Sequence, residues 1–296
     1  MSLSNDQYES EGEESYFVSM TDIMVGMVFV FIILLMFFVF RIQNTSEPTK
    51  PLSEYQALMA ERDKLEAEIK RLNQNPLEKY LKLADTARNN ILNILQKSMQ
   101  DVPGIKEGDV KVVSDQGILR LSGDMLFPTG SSTIVQGSSS ANVVRILSAA
   151  LAKVLPCFSL GPASNANREC NPNAIFIDAV FVEGHTDNKP ITGTVEGNIT
   201  DNLSLSARRA INTVLAVYAD QPRLWQMFSI SPSQEGRPLG EGSSPLINPA
   251  AFGETRPAFS NDTDDGRKNN RRIDVRLLMY SPRTESLDAL RRLLSR

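Results

Sequence analysis

A chain of 296 residues has room for one membrane span plus one or two soluble regions of moderate size. A net charge of −4, with no basic stretch interleaved with aromatics, argues against nucleic-acid binding. There is one histidine and no GxSxG, HExxH or phosphate-cradling glycine loop, so catalytic, metal and nucleotide chemistry lack their usual parts; the chain does not read as an enzyme and calls for no cofactor.

The first element follows an acidic tail, residues 1–15, which holds Asp6, Glu9, Glu11, Glu13 and Glu14 but no Lys or Arg. Eighteen uncharged, mostly large apolar residues then separate Asp22 from Arg41, a helical length of about 27 Å and close to one hydrocarbon thickness. Residues 16–21 are uncharged as well, so the predicted span is 16–41, with Asp22 inside it. A carboxylate at membrane depth costs on the order of 3 kcal/mol and by default marks an ion path. Ser19, Asp22 and Gly26 fall on one helical face, where small residues admit a neighbouring helix, and the hydroxyls of Ser19 and Thr21 could support the acid. The alternative is that Thr21 and Asp22 cap the helix in the headgroup layer. The run is too long for a signal-peptide core and reads as a retained anchor.

Residues 42–101 read as a linker and helical stalk. Asn44 to Ser53 is polar with two prolines. Glu54 to Asn73 is helical, with Leu58, Leu65 and Leu72 every seven residues and Tyr55 and Ile69 as companions. That pattern suits a parallel dimeric coiled coil, or a charged helix lying in solvent. Pro76 opens a second helix, Leu77 to about Met99, with Tyr80, Ala84, Ala87, Ile91 and Leu95 on one side.

Residues 102–283 read as one domain. Val112, Ile118, Leu119, Leu121 and Leu126 predict two short strands around a turn at Asp115 to Gly117. A helix from Ser138 to Leu155, a buried strand from Ala174 to Val182, a helix from Asn202 to Ala219 and a strand from Ile273 to Met279 follow. A short helix, Glu285 to Leu294, occupies the C-terminal segment 284–296. This order predicts a two-layer α/β sandwich with helices on one sheet face. Cys157 and Cys170 flank a Gly/Pro/Asn-rich segment, which suits a disulfide in an oxidising compartment; two unrelated thiols are the alternative. Positive-inside counting of Arg41 and Lys50 would leave the domain in the cytoplasm. The cysteines and the domain type argue the reverse, an N-terminus inside and the bulk of the chain in the periplasm.

The candidate site lies where the central strand ends, at Glu183-Gly184-His185-Thr186-Asp187. Asn202, Leu205 and Arg209 then share a face of the next helix and present an amide, an apolar contact and a guanidinium toward that loop. Arg209 can hold a carboxylate bidentately and Asp187 an ammonium, which suits a zwitterionic ligand. A structural Asp–Arg bridge is the alternative. His185 is expected to orient the loop, not to catalyse.

FVEGHTDNKP, NLSLSARRAINTVLAVY, GEGSSPLINP and GRKNNRRIDVRLLM resemble successive blocks of the OmpA-like peptidoglycan-binding domain, and MLFPTGSSTI resembles its strand-to-helix entry, over roughly residues 118 to 280. The resemblance implies that Asp187 and Arg209 grip the diaminopimelate of a stem peptide, with Asn202 and Leu205 matching the family's residues upstream of the Arg. Thr186 and Asp201 adjoin them, and Arg271 and Arg272 match a terminal Arg pair of which one is structural. Residues 156–173 look like an insertion, and Gly193 to Thr200 lengthens the binding loop. A single span with an internal Asp, a helical linker and this domain resembles the MotB-like B subunits of ion-driven stator motors of the bacterial inner membrane. There the Asp takes up and releases a proton or sodium ion, and two B subunits sit in a ring of five polytopic A subunits. One charge crossing about 150 mV gains roughly 3.5 kcal/mol, comparable to the cost of burying the carboxylate. Flagellar members carry a basic tail and a Trp shortly before the Asp, which this chain lacks. TDIMVGMVFVFIILLMFF is more similar to ZorB subunits of Zorya anti-phage systems, motors that work with soluble effectors. A flagellar stator of MotB or PomB type, and a passive wall tether, are the alternatives.

Overall fold

The computed structural model of the chain describes residues 10–45, 52–100, 105–106, 108–192, 198–231, 244–283 and 286–294. The acidic tail up to residue 9, the linker residues 46–51 and the loop residues 193–197 of the sequence reading lie outside that set. Residues 1–69 and 70–296 form two separate compact units.

In the first unit, helix α1 spans Ser10–Thr45 and contains an apolar window, Asp22–Gln43, with a mean hydropathy of 3.2. At 1.5 Å per residue its 22 residues measure about 33 Å, enough to cross a bilayer core. Because α1 starts well upstream, Thr21 and Asp22 do not cap it. Ser19 and Thr21 lie on α1, but their side chains are outside the described set. A methyl group added at Gly26 would meet nothing within 4 Å, so this face of the helix is open. Helix α2, Leu52–Gln74, leaves Tyr55, Leu58, Leu65 and Ile69 more than half exposed in the single chain; Leu72 is outside the described side chains.

The first helix that lies wholly in the second unit is α3, Pro76–Gln100. Here the stalk assignment is corrected, because the apolar side of α3 is built into the domain. Ile91, Leu92, Leu95 and Met99 are fully buried in its main core, and Tyr80 and Ala84 in a second, smaller one. Burial of each large side chain stabilises by about 1.5–3 kcal/mol, far more than a solvated stalk helix gains from charge pairs at about 0.3–0.5 kcal/mol.

The strands are β1 Val110–Val113, β2 Ile118–Ser122, β3 Ile177–His185, β4 Ile247–Gly253 and β5 Arg272–Met279, arranged β1-β2-β5-β3-β4. All neighbours are antiparallel except the β3–β4 pair. Leu126, expected in a strand, instead ends a one-turn helix, α4 Gly123–Leu126. Helices α5 Ser139–Val154 and α6 Asn202–Asp220 join α3 over one sheet face. There Leu119, Leu121, Val180, Val182, Ile273, Val275 and Leu277 share the main core with α3, α5 and α6, as alternation along each strand requires. The apolar length of α5 would also fit a membrane, but most of it is buried in this core. Two elements go beyond the sequence reading. Strand β4 carries Pro249 and lies at the sheet edge, where a missing N–H breaks no ladder. Helix α7, Asp264–Asn270, is capped by Thr263, whose hydroxyl accepts the Gly266 N–H at 3.0 Å.

Cys157 and Cys170 form a disulfide. Next to it, Asn171 donates to the Ile175 carbonyl at 2.7 Å and accepts its N–H at 2.9 Å, which leads Ile175 and Phe176 into the smaller core. That core also takes Leu287 and Leu290 of α8, Leu287–Leu293.

Gly184 sets how closely α6 approaches β3. A Cβ there would lie 2.1 Å from the Ser206 carbonyl oxygen, which is backbone and has little freedom to yield. Gly184→Ala should therefore destabilise the domain by about 1–3 kcal/mol, lowering its melting temperature by several degrees in calorimetry of the purified chain. An unchanged melting temperature would mean that α6 is not held at this depth.

Candidate functional site

Strand order brings the site together. β2 and β3 both run antiparallel to β5, and Ser122 and His185 both pair with Arg272, so the ends of β2 and β3 flank the start of β5. β4 is parallel to β3 and ends at the same rim. The segments bearing Asp124, Asp187, Glu254 and Arg271, and the first turns of α6, thus converge. Asp201 caps α6: its carboxylate accepts the Ser204 N–H at 2.8 Å and the Ser204 hydroxyl at 2.7 Å, and these bonds hold its pKa below the usual carboxylate range.

Asp187 and Arg209 are both buried at this rim, yet no ion pair within 4 Å joins them, so the structural-bridge alternative fails. Asp187 instead accepts from Arg271 Nη1 at 2.8 Å and from the Lys189 N–H at 3.2 Å. Arg271 is forked: its Nε and Nη2 each reach Asp124 at 3.2 Å. Arg209 donates Nε to the Ser131 carbonyl at 2.8 Å and Nη2 to the Pro128 carbonyl at 3.3 Å, and its guanidinium lies 5.3 Å from the Phe127 ring centroid. The expected bidentate grip through that edge is therefore not available. Among the described residues its Nη1 has no partner and is not sealed from solvent, which leaves one donor edge. Burial pushes the Arg209 guanidinium down to about 10, against the pull of Asp124 and Asp187, so it stays charged at neutral pH.

The remaining predicted residues divide between wall and scaffold. Leu205 is buried beneath Arg209 on the same helical face. Asn202 donates to the Lys189 carbonyl at 3.0 Å and to Glu254 Oε2 at 2.5 Å, tying the Asp187 loop to α6 and to the end of β4. A cleft of about 370 Å³ opens beside it, lined by Ile191, Asp201, Asn202, Phe252 and Glu254 among others. A larger groove of about 580 Å³ between α5 and α6 contains none of these predicted residues. Thr186 is buried, with its N–H on the Gly253 carbonyl at 2.9 Å and its hydroxyl unpartnered. Asp124 was missed by sequence reasoning; it stands 147 positions from Arg271, and nothing local in the sequence marks the pair.

Arg272 belongs to a separate network on the helix-free sheet face. Its Nε pairs with Asp274 at 3.0 Å, and Arg120 pairs with the same carboxylate at 2.9 Å. Arg276 binds Glu183 through Nε at 2.6 Å and Nη2 at 2.9 Å. Between them His185 is stacked on Phe252, its ring centroid 5.2 Å away. His185 Nε2 lies 3.9 Å from Glu183 and 3.8 Å from Asp274, too far for hydrogen bonds. Glu183, His185 and Asp274 have the spacing of a metal-ligand set, but three guanidinium groups already neutralise the carboxylates, so the chemistry favours an ionic scaffold.

No family model matches the chain. It is 28% identical over 99 residues to "Motility protein B" of Bacillus subtilis (strain 168), a match covering 33% of this chain and 30% of that protein. Among solved structures, a MotB-like protein of Desulfovibrio vulgaris aligns with a TM-score of 0.45 and 17% identity over 70% of this chain and 100% of its own. The cell wall anchor of the T6SS from Pseudomonas aeruginosa aligns at 0.41 and 21% over 63% and 97%. The periplasmic domain of Helicobacter pylori MotB aligns at 0.35 and 18% over 60% and 83%.

The His185 environment gives a signed pH dependence. Burial, reinforced by Arg272 and only partly offset by Glu183 and Asp274, holds the imidazole below its ordinary 6.5. The unfolded chain therefore takes up this proton first. Its stability contribution is complete above about 6.5 and is lost as pH falls from there through the lower folded value. Since His185 is the one histidine, melting curves between pH 7.5 and 5 should show a loss of stability in the wild type that His185→Gln largely removes. Equal acid sensitivity in both proteins would contradict this.

Proposed function

We propose that this chain is the wall-anchored B subunit of an ion-driven inner-membrane motor, and specifically a ZorB-type subunit of a Zorya anti-phage system. The observation that carries the reading is the pairing, in one chain, of an acid at the start of an apolar window of 22 residues with a domain whose rim gathers Asp187, Arg209 and Arg271. Asp22 takes up and releases a proton or sodium ion. One helix cannot line a path, so a polytopic A-type subunit supplies the rest, with two copies of this chain in a ring of five partners. The N-terminus lies in the cytoplasm and the domain in the periplasm, where the disulfide is stable. There the rim binds the diaminopimelate end of a peptidoglycan stem peptide and holds the motor still, and soluble effectors carry out the defence. The chain anchors and conducts; it does not catalyse.

The match to a motility protein favours a second reading, a flagellar stator subunit. Against it stand the acidic tail and the position of the single tryptophan, Trp225, far from Asp22.

Co-expression with the adjacent multi-span gene separates the readings. Phage plating and swimming are scored for the wild type, Asp22→Asn and Arg209→Ala. A defence motor protects against phage, and each substitution reduces protection to the level of the empty host. Protection that survives Asp22→Asn would leave a passive tether. Swimming that depends on the gene, without protection, would favour the flagellar stator.

A further inference from the structure

Arg209 spends its Nε–Nη2 edge on the Ser131 and Pro128 carbonyls, so among the described residues Nη1 is its one nitrogen without a partner. A second cation stands at the same rim. Arg271 is about a quarter exposed and held by two acids at once. Its contact with Asp124 is fixed by backbone as well as by charge. The Gly123 N–H donates to the Arg271 carbonyl at 2.8 Å, and a Cβ at Gly123 would come within 2.5 Å of that oxygen. Asp124 and Asp187 balance Arg209 and Arg271, so these four groups together carry no net charge when the site is empty. A zwitterion keeps that balance on entry; a lone cation or anion breaks it.

On the wall-binding reading, we infer that Asp124 is a positioning residue that turns Arg271 into the second half of the carboxylate clamp. The ligand ammonium takes the Asp187 oxygen held by Arg271 Nη1 in the empty site. Asp124 keeps its grip on Nε and Nη2, so Arg271 stays in place and the released Nη1 is left for the ligand carboxylate beside Arg209 Nη1. Without the Asp124 charge, Asp187 is the one acid left to Arg271, the exchange is opposed, and the carboxylate loses half of its clamp. The ligand class is a free amino-acid head, ammonium and carboxylate on one carbon, as at the unlinked end of diaminopimelate.

The test is isothermal titration of the full chain in detergent with two probes. One is L-Ala-γ-D-Glu-meso-diaminopimelate; the other is the same tripeptide with the carboxylate of its free amino-acid head converted to carboxamide. The wild type should bind the first about tenfold more tightly, the scale of one charge-assisted hydrogen bond. In Asp124→Asn the ratio should fall to near one, and Asp124→Glu should restore most of it. Arg271→Lys, which cannot fork, should also lose the ratio and serves if Asp124→Asn fails to fold. A tenfold ratio retained in Asp124→Asn, even with both probes weakened, would overturn the inference and leave Asp124 merely structural. A wild type that binds neither probe would remove the wall-binding reading, and this inference with it.

Discussion

The contact between Gly184 and the Ser206 carbonyl governs the second unit. With no side chain at Gly184, α6 lies against β3 backbone to backbone, and the Ser206 hydroxyl accepts the Gly253 N–H at 2.9 Å to hold β4 to the same helix. Arg209 is one turn further along α6, so this contact fixes its depth. At that depth Arg209 can reach the 128–131 carbonyls, and it is buried close to Asp187 without pairing with it. A shallower helix would free the fork of Arg209, and a free guanidinium would close on the nearest acid.

Charge is divided between the two ends of this arrangement. Beneath the rim, Arg120, Arg272 and Arg276 saturate Glu183 and Asp274. Burial alone would raise the Glu183 pKa, but the bidentate Arg276 guanidinium outweighs it and holds the carboxyl below its usual range. Breaking such a buried pair costs about 3–5 kcal/mol, so the network is a rigid floor. At the rim, Asp124, Asp187, Arg209 and Arg271 meet with donors and acceptors that can still be exchanged. Two arginines adjacent in sequence, Arg271 and Arg272, thus serve opposite purposes: Arg271 ends α7 at the rim, whereas Arg272 opens β5 and joins the buried network.

Much of this was legible in the sequence, and the failures have physical causes. The period-2 and period-3.6 patterns located β1, β2, β3, β5, α5 and α6 to within a few residues. Strand β4 was hidden because Pro249 reads as a breaker unless the strand is known to be an edge. The stripe on α3 was visible, but periodicity does not say whether a stripe faces a second chain or its own domain. Asp187, Asn202, Leu205 and Arg209 could be grouped from the sequence because they sit on one loop and one helical face. The hydrogen bonds that close the Arg209 fork and the Asp124–Arg271 contact join residues 78 to 147 positions apart, which no local pattern records.

The most direct test of the anchoring account is sedimentation of the detergent-solubilised full chain with purified wall sacculi. The account predicts co-sedimentation with sacculi whose stem peptides carry diaminopimelate, loss of that binding in Asp187→Asn, and little binding to sacculi built with lysine, which has no carboxylate at the free end. Equal binding to both walls, or full binding by Asp187→Asn, would contradict it.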